Sequence, residues 1–451
     1  MKVGKQPKFP QRFGLPLILS LLFIFWLSIK LLSACTAGSI ALSFMVPQPE
    51  ADYWLPLIEE FENKHQNIRI DLKNFENSFS RKPNDTNQLR SIHISAFKEE
   101  LPSFDLIYLD SIWVVEFAKA GWLIDLSNKF SLEGLENEFL HSDVESGIYN
   151  GKLYSIPFRT NVGVLYYRKD LLDEAGYLPP ETFEDLKQIS QALQARQKVD
   201  WGYLWQGRHT EALSAMFVEV LKGYGGFWIE DGEVGLDRPE AIQAVEFLRD
   251  TLAKGISPPD LTSQEEEPTS DLFEEGKAAF MRNWPNVWVD AHGSESNVSG
   301  KIAIQPMVHA PGKSSGACMG GWSLGIAKAS KYKQEALEAI EFFTSAAIQR
   351  QFTLGYESLP SRRKLFFEPK IVARYSHFPE LLNAIDNYLV TRPRIPEYAQ
   401  ASCILQNHLS AALNADKKGY PSPQQAMKDA AAETRQLLTT GKFNCETTNV
   451  S

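Results

Sequence analysis

Cysteine and histidine are too few and too scattered in this chain to build a metal centre. Its 451 residues hold 4 cysteines and 8 histidines, with no CxxC, no HExxH and no histidine pair at helical spacing. Those are the arrangements that bring ligands to one ion, so no metal and no cofactor are expected. Positive charge is in deficit. Removing the five bases of the first 34 residues (Lys2, Lys5, Lys8, Arg12, Lys30) leaves 41 cations against 56 anions, a net charge of −15. That balance argues against nucleic acid and against an anionic membrane face as partners. The chain also lacks internal repeats and low-complexity blocks, and its 43 % hydrophobic and 12 % aromatic content excludes a disordered chain. No apolar run reaches the roughly 20 residues that span a bilayer.

The run that comes nearest is Leu15 to Ile29 (LPLILSLLFIFWLSI), preceded by four cations and followed by Leu32-Ser33-Ala34-Cys35. A basic segment, an apolar segment and a small-residue cleavage site form a secretory signal. With cysteine directly after Leu-Ser-Ala, it resembles a bacterial lipoprotein signal. The resemblance implies a signal peptide over 1–34, acylation of Cys35, and a mature protein held at the cell membrane, facing the periplasm or the exterior. An uncleaved signal anchor and an ordinary secretory signal are the alternatives. Cys318, Cys403 and Cys445 remain, and a Cys403–Cys445 disulfide is open to them in an oxidising compartment.

About 417 residues then follow, more than one core usually organises, so two lobes are expected. Ile40 to Val46 reads as a strand. Trp54, Leu55, Ile58 and Phe61 recur at helical spacing, and Ile68 to Leu72 alternates as the next strand. Phe104 to Leu109 is a third strand, ending at Asp110. Alternation of this kind belongs to α/β folds with largely parallel sheets. The polar Arg159-Thr160-Asn161, between two apolar runs, is a candidate crossover between lobes. Glu230-Asp231-Gly232 marks a hairpin, 305–322 reads as loop-rich, and Glu265-Glu266-Glu267 reads as a solvated loop or helix start. The segment 398–438 reads as helical, and 444–451 as a frayed tail.

Four segments then resemble one family in its order: Pro157–Asp170 (PFRTNVGVLYYRKD), Trp201–Gly207 (WGYLWQG), Phe273–Pro285 (FEEGKAAFMRNWP) and Gly320–Gly325 (GGWSLG). The chain is similar to the extracellular solute-binding proteins of ABC sugar importers, the group with the maltose- and trehalose-binding proteins. The resemblance implies a type II, two-lobed periplasmic binding fold (the Venus flytrap), each lobe a β-sheet flanked by helices, with ligand held between. It divides the chain into lobe 1 (35–157 plus 302–352), lobe 2 (158–301 plus 353–442) and a tail (443–451). A monomer is expected, with a sugar and the ABC permease subunits as partners and the membrane reached through the lipid.

A sugar presents apolar C–H faces that stack on aromatic rings and hydroxyls that need fixed hydrogen-bond partners. Trp284 precedes a proline and ends a strand at a chain break, Trp322 follows two glycines whose missing side chains let a ligand approach the backbone, and both match sugar-contacting tryptophans of the family. Asp110 ends a strand, where open α/β sheets bind ligands, and matches the family's ligand-binding aspartate; helix capping is the alternative. Asn161 stands where close relatives carry an aspartate, and Arg159 where they carry an aromatic residue. Glu50 matches an acidic ligand position loosely, Arg392 and Tyr398 resemble a late family segment that closes over the cleft, and Gly321 offers its backbone N–H. Trp54, Trp113 and Trp122 are expected to pack in the first lobe. The expected function is capture of a compact α-glucoside of the trehalose, sucrose or glucosylglycerol type for an importer, without catalysis. A maltodextrin binder, a sugar-sensor lobe and an extracellular glycoside hydrolase using Asp110 with Glu50 are the competing readings.

Overall fold

The computed structural model describes residues 39–74, 86–99, 104–414 and 420–443. Cys35, Cys445 and the tail 444–451 lie outside the described residues. Cys403 is disulfide-bonded, while Cys318 is a buried free thiol.

Among the described residues, two main sheets hold eleven strands: β1 (Ile40–Val46), β2 (Ile68–Asn74), β3 (Leu106–Asp110), β4 (Ile156–Val162), β5 (Val164–Arg168), β6 (Trp201–Leu204), β7 (Ala278–Asn283), β8 (Ile302–Gln305), β9 (Ala317–Ile326), β10 (Leu359–Pro360) and β11 (Leu389–Val390). The first sheet runs β10-β4-β9-β3-β1-β2, with β11 against β9. Its β1 lies parallel to β2 and β3, and β9 runs antiparallel to β3 and β4. The second sheet runs β8-β5-β7-β6.

Local pattern explains most of the first lobe. Alternation in β2 buries Ile68 and Ile70 and exposes Arg69 and Asp71. The helix Gln48–Lys64 turns Ala51, Trp54, Leu57, Ile58 and Phe61 inward, each large side chain worth roughly 1.5–3 kcal/mol on burial. Leu55, expected in that stripe, is 54 % exposed. The true stripe takes Leu57 instead, three residues after Trp54 and four before Phe61. Trp54 stacks on Phe158 at 4.6 Å, Trp113 is buried, and Trp122 stacks on Phe97 at 5.0 Å. The hairpin pairs Ile229–Glu230 with Glu233–Val234.

Two expectations shift. Arg159, Thr160 and Asn161 lie inside β4, paired with Trp322, Gly321 and Gly320 of β9, so they are not themselves the crossover. The chain passes from the first sheet to the second at Gly163, the single residue between β4 and β5. Likewise β8, expected in the first lobe, pairs with β5 in the second sheet, and Ile302 and Ile304 sit in the second core. The return falls within β9: Ala317 and Cys318 pack in the second core, Leu324 and Ile326 in the first. A further passage lies between Phe352, in the first core, and Leu359, in the second.

Candidate functional site

Where the crossing strands meet, a cleft of about 240 Å³ opens between the two sheets. Asp110, Arg159, Asn161, Trp284, Gly321, Trp322 and Arg392 all line it, seven residues drawn from distant parts of the chain. Among the described residues there is no His/Cys/Asp/Glu cluster able to hold a metal.

Asp110 closes β3, and its carboxylate accepts the Ile112 N–H at 3.2 Å, capping the short turn Ser111–Trp113. It therefore both ends a strand at the cleft and caps the turn after it. Arg392 Nη2 stands 4.0 Å away. Burial raises the Asp110 pKa, and Arg392 and the Ile112 N–H pull it back down. Arg392 also donates to Glu211 Oε1 at 2.8 Å and to the Met319 carbonyl at 3.3 Å.

Arg159 and Asn161 share one face of β4, two residues apart. Thr160 between them donates to the buried Asp143 at 2.9 Å. Arg159 donates to Glu50 at 2.5 Å and to the Tyr108 hydroxyl at 2.9 Å, and that hydroxyl donates to the other Glu50 oxygen at 2.9 Å. Its guanidinium also lies 5.4 Å from the Trp322 ring and 5.8 Å from Tyr356. Trp322 is thus fixed, stacked on Tyr108 at 4.6 Å and edge-on to Trp113. Gly321, at φ 146°, holds backbone that a side chain would strain, and a Cβ there would meet the Arg159 carbonyl at 3.0 Å.

Trp284 comes from the other sheet, just after β7. Its Nε1 donates to Glu266 at 3.0 Å, and its carbonyl accepts the Tyr166 hydroxyl at 2.8 Å.

Two residues stand differently from the sequence reading. Glu50 faces an adjoining groove of about 1210 Å³ rather than the inner cleft, with both its oxygens engaged by Arg159 and Tyr108. Tyr398 is 2 % exposed and is not among the cleft-lining residues; its hydroxyl donates to Glu211, placing it behind the wall. Sequence reasoning missed Glu211, Tyr356 and the acidic run. Glu265 and Glu266, half-buried, line the cleft where the helix Glu266–Glu274 begins, and Glu267 is exposed, so the expected helix start is right and two of its acids also face the cleft. Glu211 opens the helix Glu211–Gly223, an acid at a helix start that could have drawn notice. Tyr356 carries no sequence signal.

Two aromatic rings on different sheets, among carboxylates and guanidinia, suit a ligand with apolar faces and many hydroxyls. Residues 48–350 match the family described as bacterial extracellular solute-binding protein. The chain belongs to this family.

Relatives of this solute-binding protein include the probable ABC transporter-binding protein of Deinococcus radiodurans, 29 % identical over 71 % of this chain and 77 % of that one. The maltotriose-binding protein of Pyrococcus abyssi is 24 % identical over 75 % of this chain and 69 % of that one. Among solved structures, maltose-bound MalE3 of T. maritima superposes with a TM-score of 0.79 at 30 % identity, covering 89 % of this chain and 100 % of the other. The solute-binding protein has the two-lobed, type II periplasmic binding fold and is the substrate-binding component of an ABC sugar importer. Such proteins bind and deliver solutes and are not enzymes. The family is extracellular or periplasmic. Among the described residues no helix is long and apolar enough to cross a membrane.

Proposed function

We propose that this protein captures a compact α-glucoside of the trehalose, sucrose or glucosylglycerol type, as a monomer tethered to the membrane through acylated Cys35. The observation that carries the ligand reading is that Trp284 and Trp322, from different sheets, line one cleft of about 240 Å³. That volume falls just below the ~300–1,000 Å³ usual for small-molecule sites, which suits a compact ligand. Trp284 and Trp322 supply stacking faces, while Asp110, Glu211, Arg392 and Asn161 supply hydroxyl partners. Closure of the lobes on the sugar follows from contacts made to both at once. The engagement of both Glu50 oxygens by Arg159 and Tyr108 also speaks against a carboxylate pair poised for glycoside hydrolysis.

A maltose or maltodextrin binder is the second reading, favoured by the wider groove, which shares Trp284, Trp322 and Tyr356 with the cleft. Calorimetry with trehalose, sucrose, glucosylglycerol, maltose and maltotriose separates the two. Tightest binding of trehalose, sucrose or glucosylglycerol supports the proposed ligand class; preference for maltose or maltotriose over all three rejects it in favour of the second reading. The tether is tested separately. Cys35→Ala should move the protein from the membrane fraction to the soluble one with sugar affinity unchanged, since stable anchoring needs the attached chains. Retention in the membrane fraction would count against the anchor.

A further inference from the structure

Both strands that pass between the lobes meet one buried ion pair. Arg282 on β7 and Glu219 on the helix Glu211–Gly223 are each 0 % exposed. Arg282 Nε and Nη2 donate to the two Glu219 oxygens, both at 2.7 Å. Its Nη1 donates to Gln206 at 3.2 Å, and Gln206 donates back to the Arg282 carbonyl at 2.9 Å. Glu219 Oε1 accepts a further hydrogen bond from the Cys318 N–H at 3.0 Å, and the Cys318 carbonyl accepts the Gly163 N–H at 3.1 Å. The pair is packed so tightly against the first crossing strand that a Cβ on Gly163 would stand 1.7 Å from Glu219 Oε1 and 2.6 Å from Arg282 Nη2.

Each partner of this cluster is close in sequence to the cleft. Asn161 lies two residues before Gly163, and Gly320, Gly321 and Trp322 come shortly after Cys318. Trp284 lies two residues beyond Arg282, whose guanidinium sits 4.2 Å from the centroid of its ring. Stability alone explains the arrangement poorly, because desolvating two charges can cost as much as their attraction returns, and apolar side chains of equal volume often hold a core as well. What a bidentate Arg–carboxylate pair adds is a fixed plane and fixed donor directions.

We propose that Arg282 and Glu219 are positioning residues for sugar binding: from behind the cleft they set the plane of the Trp284 ring and hold Gly163 and Cys318 of the two crossing strands in place. The proposal rests on the reading of the cleft as the sugar site. Arg282→Lys keeps the charge and loses the planar face and the paired donors. With maltose as probe, it should weaken binding by about 10-fold or more when Trp284 is present and by only a small factor in a Trp284→Ala background, the non-additivity of residues that act through each other. Equal loss in both backgrounds would overturn the proposal. In protein labelled with 5-fluorotryptophan, the Trp284 resonance, assigned by its absence in Trp284→Phe, should move in Arg282→Lys while those of Trp54 and Trp113 stay. An unmoved Trp284 resonance would also overturn it. Should wild-type protein fail to bind maltose or any sugar of the panel, the sugar reading fails, and the resonance still decides whether Arg282 sets the ring. If Arg282→Lys does not fold, hydrogen exchange on the unaltered protein decides. Gly163 and Cys318 amides that exchange only through global unfolding support the lock, and fast exchange at both refutes it.

Discussion

Glu50→Ala isolates the arrangement that fixes Trp322. Glu50 is 2 % exposed, and the Arg159 side chain it pairs with is 10 % exposed, so removing the carboxylate leaves a cation enclosed by Tyr108, Trp322 and Tyr356. Breaking a buried pair on one side costs roughly 3–5 kcal/mol. Arg159 keeps its bond to Tyr108 at 2.9 Å and its two aromatic neighbours, which places the expected loss near the lower end, about 3 kcal/mol. Glu50→Gln retains an acceptor of the same size and should cost only about 1–2 kcal/mol. Removing both charges, as in Glu50→Leu with Arg159→Met, should recover most of what Glu50→Ala loses, because no unpaired charge remains. Urea unfolding followed by far-UV circular dichroism measures all three. A Glu50→Ala protein within about 0.5 kcal/mol of wild type, a typical surface-substitution effect, would show that the pair is not the buried unit described. A double variant less stable than Glu50→Ala would refute the charge argument itself.

Trp284→Ala should weaken disaccharide binding by about 1–3 kcal/mol, roughly 5- to 150-fold in Kd, through loss of a stacking face; unchanged calorimetric affinity would remove Trp284 from the site. Asp143, 3 % exposed, has its carboxyl pushed by burial from 3.8 up to about 7, against the pull of the Ser361 and Thr160 hydroxyls. The folded state therefore holds this proton longer than the unfolded chain. The Asp143 contribution is intact below about pH 4 and declines as pH rises to about 7, so Asp143→Asn should gain on wild type by up to about 1.4 kcal/mol per pH unit across that window. Denaturant midpoints taken from pH 4 to 8 check this, and parallel profiles for the two proteins would refute it.

What was legible in the sequence is what short-range periodicity encodes. The helix Gln48–Lys64, the strands around it and the 229–234 hairpin follow from spacing and turn chemistry alone. The crossover did not, for a physical reason. Arg159 and Asn161 are polar because they face a cleft, and a polar face on a strand looks from the sequence like a break in it. The true break is one glycine, and what makes glycine necessary there is a carboxylate 56 positions away in the chain. The pairing of β8 with β5 is likewise invisible locally, since a four-residue apolar alternation does not say which sheet it joins.

The site divides along the same line. Asp110 and Trp284 sit at or just beyond strand ends, places where a side chain has no periodic duty and so reads as available for a ligand, whereas Trp322 lies mid-strand in β9 and is marked in the sequence only by the glycines before it. Glu211, Glu266 and Tyr356 sit in or at the start of helices, where acids and half-buried aromatics are ordinary, and only the packing of one lobe against the other turns them to the cleft. Glu50 and Tyr398 show a further distinction. Glu50 matches an acidic ligand position of the family loosely and Tyr398 falls in a segment that resembles one closing over the cleft, yet one holds Arg159 and the other holds Glu211. A resemblance can mark the neighbourhood of a site without separating the group that touches ligand from the group that aims it. That separation needs the hydrogen-bond partners of each atom. Here Glu50 and Tyr398 are bonded to Arg159 and Glu211, and on the proposed reading of the cleft it is Asp110, Asn161, Trp284, Trp322 and Arg392 that would meet the sugar.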